Sequence, residues 1–319
     1  NGELWAIPKE APLSARDSQG LAFALMTPEQ QNQFLKFKEI DFSYAFEGKE
    51  RFRTNVFFQR GCVSCALRLI STKIRTISEL NLPPIMQKMI DSEQGFVLIT
   101  GPTSHGKSTT LAALVDAINH TRCDHIITIE DPIEYLFTPD ASVVEQRELN
   151  SDTYSFSMAL RSVFRQDPDV IMIGEMRDAE TISTALTAAE TGHLVFATLH
   201  TNSAPQSIHR IVDSFPAEQQ SQVRAQLSAS LLGIVSQRLI LSNKGKMIPA
   251  CEVLFNNFAV GNLIRENKIH EIPLVIDTSF KDGMISLNKS LANLVKAGEI
   301  DLQKALSYSL NPQELEALI

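Results

Sequence analysis

No apolar run in this 319-residue chain approaches the roughly 20 residues that a helix needs to cross a bilayer, and the longest core-like run, residues 96–100, has only strand length. The sequence therefore predicts a soluble chain, or one that meets a membrane only peripherally. Positive charge is also in short supply. Against 37 Asp and Glu stand 29 Lys and Arg, giving a net charge of −8 and a pI near 5.4. A general nucleic-acid binder needs a basic face to displace counterions from phosphates, so that class is disfavoured and only a local basic patch is left open. The opening residues Asn1-Gly2-Glu3-Leu4-Trp5 have no charged n-region, apolar stretch or cleavage site, so no export signal is read in them. They carry no initiator Met either, and their strand-like pattern predicts a chain cut inside an N-terminal sheet. Cysteine is sparse: Cys62, Cys65, Cys123 and Cys251. Cys62 and Cys65 form a C-x-x-C, but no second pair completes a structural zinc site. Both are expected to be buried strand residues in a reducing compartment. There is no internal repeat and no low-complexity tract.

What is present is ordinary globular composition, with 44 % hydrophobic and 21 % charged residues. The length exceeds the usual single core, so two domains are expected. Thr27-Pro28-Glu29-Gln30 reads as a helix start, with Thr27 as N-cap, Pro28 in the first turn and Gln30 closing a capping box. That helix is expected to run to about residue 39. Strands follow at 41–47, 51–59 and 62–70, turned at Gly48-Lys49 and Arg60-Gly61, an α+β meander. Residues 71–94, with Pro83-Pro84, read as a linker with one short helix.

From Gly95 the texture changes. Strand-like runs at 96–100, 126–130, 170–174 and 194–199 alternate with helix-period segments at 107–119, 156–165, 179–189 and 205–212. Alternation of that kind implies an α/β unit of parallel strands with crossover helices. After Phe215-Pro216 the chain reads as mainly helical, from 217 to 238, with one strand near 249–255 and helices at 259–267, 287–296 and 302–308.

Four segments carry chemistry. Gly101-Pro102-Thr103-Ser104-His105-Gly106-Lys107-Ser108 fits G-x-x-x-x-G-K-[ST] between a predicted strand and a predicted helix. In such a loop the backbone N–H groups wrap the β- and γ-phosphates of a nucleotide, Lys107 offsets their charge and the Ser108 hydroxyl ligates Mg²⁺. Gly101, Thr103, Ser104, His105, Gly106, Lys107, Ser108 and Thr109 form the expected nucleotide-binding set. Ile129-Glu130-Asp131-Pro132-Ile133-Glu134 delivers three carboxylates to a strand's C-terminal edge, for metal or water handling or as a solvated turn. An apolar strand ends in Gly174-Glu175-Met176-Arg177-Asp178, the Walker B arrangement, in which Glu175 orients Mg²⁺ or polarises the attacking water. Thr191-Gly192-His193 and Leu199-His200-Thr201 bracket the fourth strand. Strand direction puts His200 at the C-terminal edge, as a γ-phosphate sensor, and leaves His193 for a subunit or domain contact.

These boxes, in this order, resemble the secretion ATPase superfamily of type II and type IV secretion and type IV pilus motors, with 129–134 as its Asp box and 191–201 as its His box. Within it the resemblance is to pilus retraction ATPases. Assembly-type members carry a four-cysteine zinc module that is absent here. Ala259-Val260-Gly261-Asn262-Leu263-Ile264-Arg265-Glu266 is similar to the retraction motif AIRNLIRE. The resemblance implies a cytoplasmic homo-hexamer at the inner face of the inner membrane, joined to the membrane only through a pilus platform protein and binding no nucleic acid. It also implies a PAS-like domain over 1–70, truncated at its start, a linker over 71–94 and a RecA-like ATPase domain over 95–319.

Its cofactors would be ATP and Mg²⁺. Glu175 would be the catalytic glutamate, Glu134 a magnesium or water ligand, and Arg265 and Glu266 part of the coupling motif. Arg53 and Arg68 would reach a neighbour's γ-phosphate as arginine fingers, or else stand as ordinary strand-edge arginines. The chain departs from the pattern at Ser104 and His105, where the loop is commonly Gly-Pro-Thr-Gly-Ser-Gly-Lys-Ser, and at Gly261, which replaces an arginine of AIRNLIRE. A low-activity accessory ATPase and another secretion-system ATPase are the alternatives.

Overall fold

The structure is a computed structural model that describes residues 7, 11–47, 50–70 and 73–319. The predicted Gly48-Lys49 turn, the opening Asn1 to Trp5 and the start of the 71–94 segment lie outside the described residues. The chain divides into two compact units, Asn1–Thr72 and Lys73–Ile319.

In the first unit, helices Ala15–Ala24 and Pro28–Phe37 precede an antiparallel sheet in the order β1 (Glu39–Phe46), β2 (Glu50–Gln59), β3 (Cys62–Ile70). The second helix begins where the capping box predicts. Gln30 N–H donates to Thr27 Oγ1 at 3.3 Å, and Thr27 N–H donates back to Gln30 Oε1 at 2.9 Å. Lys38, left-handed at φ 70°, ends it. Arg60 (φ 52°) and Gly61 (φ 82°) make the two-residue turn between β2 and β3, both positive as a tight hairpin requires. Ala22, Met26, Phe34, Ile40, Phe42, Val56 and Val63 form the core, with Phe34 stacked on Phe58 at 4.8 Å. Cys62 and Cys65 are on β3 but exposed, which corrects the expectation of buried thiols. An edge strand among the described residues, β3 buries only Val63 and Ile70. A spacing of three along a strand also turns the two thiols to opposite faces.

The second unit is an α/β fold around a seven-stranded mixed sheet. Its strands are β4 (Gly95–Thr100), β5 (His125–Glu130), β6 (Val143–Glu148), β7 (Val170–Ile173), β8 (Leu194–Leu199), β9 (Leu231–Leu241) and β10 (Met247–Phe255). Their order is β10-β9-β4-β8-β7-β5-β6, parallel throughout except for the antiparallel β9–β10 hairpin at one edge. Every residue of β4 and β8 is buried, as central strands covered on both faces must be. Helices Lys107–Thr121, Phe156–Val163, Ala179–Glu190, Ala204–Val212 and Ala217–Ser230 lie between the strands in sequence.

Two sequence expectations are overturned here. The helix predicted over 217–238 stops at Ser230, and the chain continues as β9. Leu231–Leu241 is buried on both faces because it inserts beside β4, and its apolar stretches on either side of Ser236-Gln237-Arg238 carry neither a helical nor a strand period. Strand β6 was not foreseen, since Val-Val-Glu-Gln-Arg-Glu is a polar edge sequence. The segment read as a linker is, from Lys73 on, part of the second unit. Leu82, Met86, Met89 and Ile90 lie in the main core, where apolar burial holds them.

At the C-terminus, helices Phe258–Arg265, Ile272–Thr278, Leu287–Lys296, Leu302–Tyr308 and Pro312–Leu318 complete the unit. Leu287, Leu291, Ala305 and Leu315 form a separate apolar cluster with Ile240, Ile248 and Ala250 of the β9–β10 hairpin. The parallel strands deliver loop 101–108, segment 131–134, segment 174–178 and segment 200–203 to one edge, where open α/β sheets bind ligands.

Candidate active site

The loop after β4 is shaped by contact with β9. Gly101 has φ 145°, and a Cβ there would lie 2.4 Å from the Gln237 carbonyl oxygen. Gly106 has φ 80°, and its Cβ would meet Gln237 Nε2 at 2.9 Å. Both positions therefore require glycine. Gln237 Nε2 donates to the His105 carbonyl at 2.7 Å, and Thr110 Oγ1 donates to Gln237 Oε1 at 2.8 Å. Leu239 N–H donates to His105 Nδ1 at 2.9 Å. Gly106 sits at the N-cap of helix Lys107–Thr121 without a side-chain cap bond, so the first-turn N–H groups can face an anion.

Lys107 folds back over the loop, its Nζ donating to the carbonyls of Gly101 at 2.9 Å and Pro102 at 3.0 Å. Burial pushes its pKa down, while the carboxylates of Glu175 and Glu134 act in the opposite sense. Both acids thus share a field with the loop lysine. His200 lies between the loop and Glu175: Nδ1 is 3.5 Å from Lys107 Nζ and 3.3 Å from Thr103 Oγ1, and Nε2 is 3.3 Å from Glu175 Oε1. Glu175 Oε2 also accepts from Arg177 at 2.7 Å. Burial alone would raise the Glu175 pKa. The Arg177 hydrogen bond and charge, aided by His200 and Lys107, outweigh it and hold the carboxyl below its ordinary value. An ionised carboxylate beside a phosphate loop can orient and polarise water.

Of the three acids at the end of β5 and just beyond it, Glu130 is buried, whereas Asp131 and Glu134 are exposed. Burial pushes the Glu130 pKa up to about 7, although it accepts from Thr128 Oγ1 at 2.7 Å, Gln146 Nε2 at 3.1 Å and Glu134 N–H at 3.3 Å. A cis peptide joins Asp131 to Pro132. Tyr135 OH meets Thr109 Oγ1 at 2.8 Å, tying this segment to the loop's helix. A cavity of about 570 Å³ adjoins the loop, lined by Leu80, Leu82, Gly106, Thr109 and Leu239 among others.

The structure thus brings together Lys107, Glu134, Glu175 and His200, with Ser108 and Thr109 in the first turn of the helix. His193 is at the opposite end of β8, its Nδ1 2.9 Å from the Ala188 carbonyl and its ring edge-on to Phe164 at 5.8 Å. Arg53 and Arg68 are cross-strand partners on β2 and β3 of the first unit. Arg265 and Glu266 are exposed, with Arg265 reaching Ser228 Oγ at 3.4 Å and Glu266 paired with Lys268 at 2.7 Å. Sequence reasoning missed Gln237, Leu239, Tyr135 and Arg177. Polar Ser236-Gln237-Arg238 inside an apolar run was the available signal for the first two.

Residues 47–276 match the family described as type II/IV secretion system protein. The type IV pilus retraction ATPase PilT of Pseudomonas aeruginosa is 45% identical over 302 residues, covering 95% of this chain and 88% of that protein. A twitching motility protein of Neisseria gonorrhoeae is 44% identical over 95% of this chain and 81% of its own length. The crystal structure of the pilus retraction motor PilT with bound ADP superposes with a TM-score of 0.88 at 48% identity, covering 94% of this chain and 85% of that one. The match spans the phosphate loop and the three acidic and histidine boxes that converge on it, and the chain belongs to the type II/IV secretion system protein family.

Proposed function

We propose that this chain is an ATPase that powers retraction of a type IV pilus, the basis of twitching motility. The observation that carries the reading is the line Lys107–His200–Glu175, with gaps of 3.5 and 3.3 Å, at the strand edge that also bears the phosphate loop. Similarity to a named retraction ATPase along nearly the whole chain supports the choice of motor.

In this reading the loop amides and Lys107 hold the phosphates of ATP, and the base occupies the cavity beside Leu80 and Thr109. Glu175, kept ionised by Arg177, orients the water that attacks the γ-phosphate. His200, in reach of both Lys107 and Glu175, responds to the presence of that phosphate. Among the described residues no cluster of three His, Cys, Asp or Glu forms a metal cage. Mg²⁺ in nucleotide sites binds through one or two carboxylates together with substrate phosphates. Ser108 and Glu134 would hold it, and it would supply charge to offset that of the phosphates.

By similarity, six copies form a ring, in which Arg53 and Arg68 of one subunit serve the site of the next and His193 lies at a subunit contact. The first unit is the PAS-like part. Arg265 and Glu266 belong to the surface that couples hydrolysis to a platform protein at the cytoplasmic face of the inner membrane. No described helix is long and apolar enough to cross a membrane. The chemistry is tested by ATPase assays on Lys107→Ala and Glu175→Gln. Turnover in both should fall by about 100-fold or more; wild-type rates in both would overturn the assignment.

A further inference from the structure

We infer that Gln146, on the edge strand β6, is a positioning residue for Glu134. The inference rests on the reading of Glu134 as a magnesium or water ligand. After Glu130 the chain leaves β5 and runs as a strap, residues 131–137, in which only Tyr135 makes an isolated backbone bridge. Side chains therefore satisfy much of its backbone. Ile133 N–H donates to Glu148 Oε2 at 3.1 Å, Glu134 N–H to Glu130 Oε2 at 3.3 Å, and Phe137 N–H to Gln146 Oε1 at 2.9 Å.

Gln146 acts on both sides of Glu134. Its Nε2 donates to the Tyr135 carbonyl at 2.8 Å and to Glu130 Oε1 at 3.1 Å. The second of these fixes the carboxyl group whose other oxygen receives the Glu134 N–H. Because its oxygen already accepts from Phe137, the amide has one orientation, with both N–H groups and the carbonyl in use. Tyr135, held from behind by Gln146, reaches Thr109 in the first turn of the phosphate-loop helix at 2.8 Å. One side chain thus fastens the strap on both sides of Glu134. An outer-shell partner of this kind typically controls metal affinity by 10- to 100-fold.

The test compares Q146L, Q146E, E134Q and Q146L/E134Q as full chains, by titrating Mg²⁺ in the ATPase assay and measuring ADP affinity in EDTA. In Q146L the Mg²⁺ concentration for half-maximal turnover should rise by about tenfold, with metal-free ADP affinity held to within about twofold. Adding Q146L to E134Q should cause no further loss. Isosteric Q146E, which removes both donors without opening a cavity, should shift in the same direction and decides the case if Q146L does not fold. Unchanged magnesium dependence in the folded variants overturns the inference and leaves the role of Glu134 intact. An equal loss of metal-free ADP affinity also overturns it, since it marks general loosening. Wild-type turnover in E134Q overturns the reading of Glu134, and this inference with it.

Discussion

His105 Nδ1 accepts the backbone N–H of Leu239 at 2.9 Å, so the fifth residue of the phosphate loop is fastened to the strand beside it. Only the neutral ring with its proton on Nε2 can do this. Burial, Arg238 and Lys107 hold the His105 pKa below its usual value, favouring that form. Replacing His105 by Ser leaves the Leu239 N–H without its acceptor. The expected loss is about 1 kcal/mol of stability, with a several-fold rise in KM for ATP, read by denaturant titration and steady-state kinetics. The depressed pKa also sets a sign. The His105 contribution is complete above the ordinary histidine pKa and is lost as pH falls, so the gap between wild type and His105→Ser should narrow on acidification.

Ser104 is left-handed at φ 64°, where a side chain is strained and glycine is not. Ser104→Gly should raise stability by about 0.5–1 kcal/mol without weakening ADP binding, as measured by thermal unfolding and calorimetric titration. A loss of stability would show that the Ser104 side chain makes a compensating contact.

Arg177 holds Glu175 ionised through a 2.7 Å contact. Arg177→Ala should let the Glu175 pKa rise, so the acid limb of the kcat/KM profile should move to higher pH. An unmoved limb would separate Glu175 from the observed ionisation.

Glu252, on β10, is buried and accepts the Ala204 N–H at 2.6 Å. Burial, reinforced by the charge of Asp277, raises its pKa from 4.5 to about 7 against the opposing effects of Ala204 and Arg238. Below 4.5 it is protonated whether folded or unfolded and exerts no pH-dependent penalty. As pH rises through about 7, the folded state must ionise a buried group and loses stability relative to the unfolded chain. Glu252→Gln removes that term. The variant should gain on wild type by on the order of 3 kcal/mol between acidic and mildly alkaline pH, read from denaturant midpoints across the range.

Much of the architecture was legible because its signals are local. The Thr27–Gln30 capping box, the glycine-bearing hairpin at Arg60-Gly61 and the strand–loop–helix setting of Lys107 each depend on residues within a few positions of one another. The convergence of Glu175 and His200 could be read from strand direction alone, since parallel strands put their C-terminal ends on one edge. What escaped notice depends on neighbours distant in sequence. Nothing near Leu231 says that the run lies between β4 and β10, so β9 looked like a helix, and Gln237 and Leu239 were lost as supports of the loop. Gln146 was hidden in a polar edge strand whose task is set by a strap about ten residues earlier. The exposure of Cys62 and Cys65 follows from β3 being an outer strand among the described residues, a fact of sheet order and not of the C-x-x-C pattern.

Strand β9 serves two cores with adjacent residues. Gln237 and Leu239 grip the phosphate loop, while Ile240 is packed beneath the C-terminal helices. The phosphate loop and the C-terminal helices therefore lean on one and the same strand, at neighbouring positions.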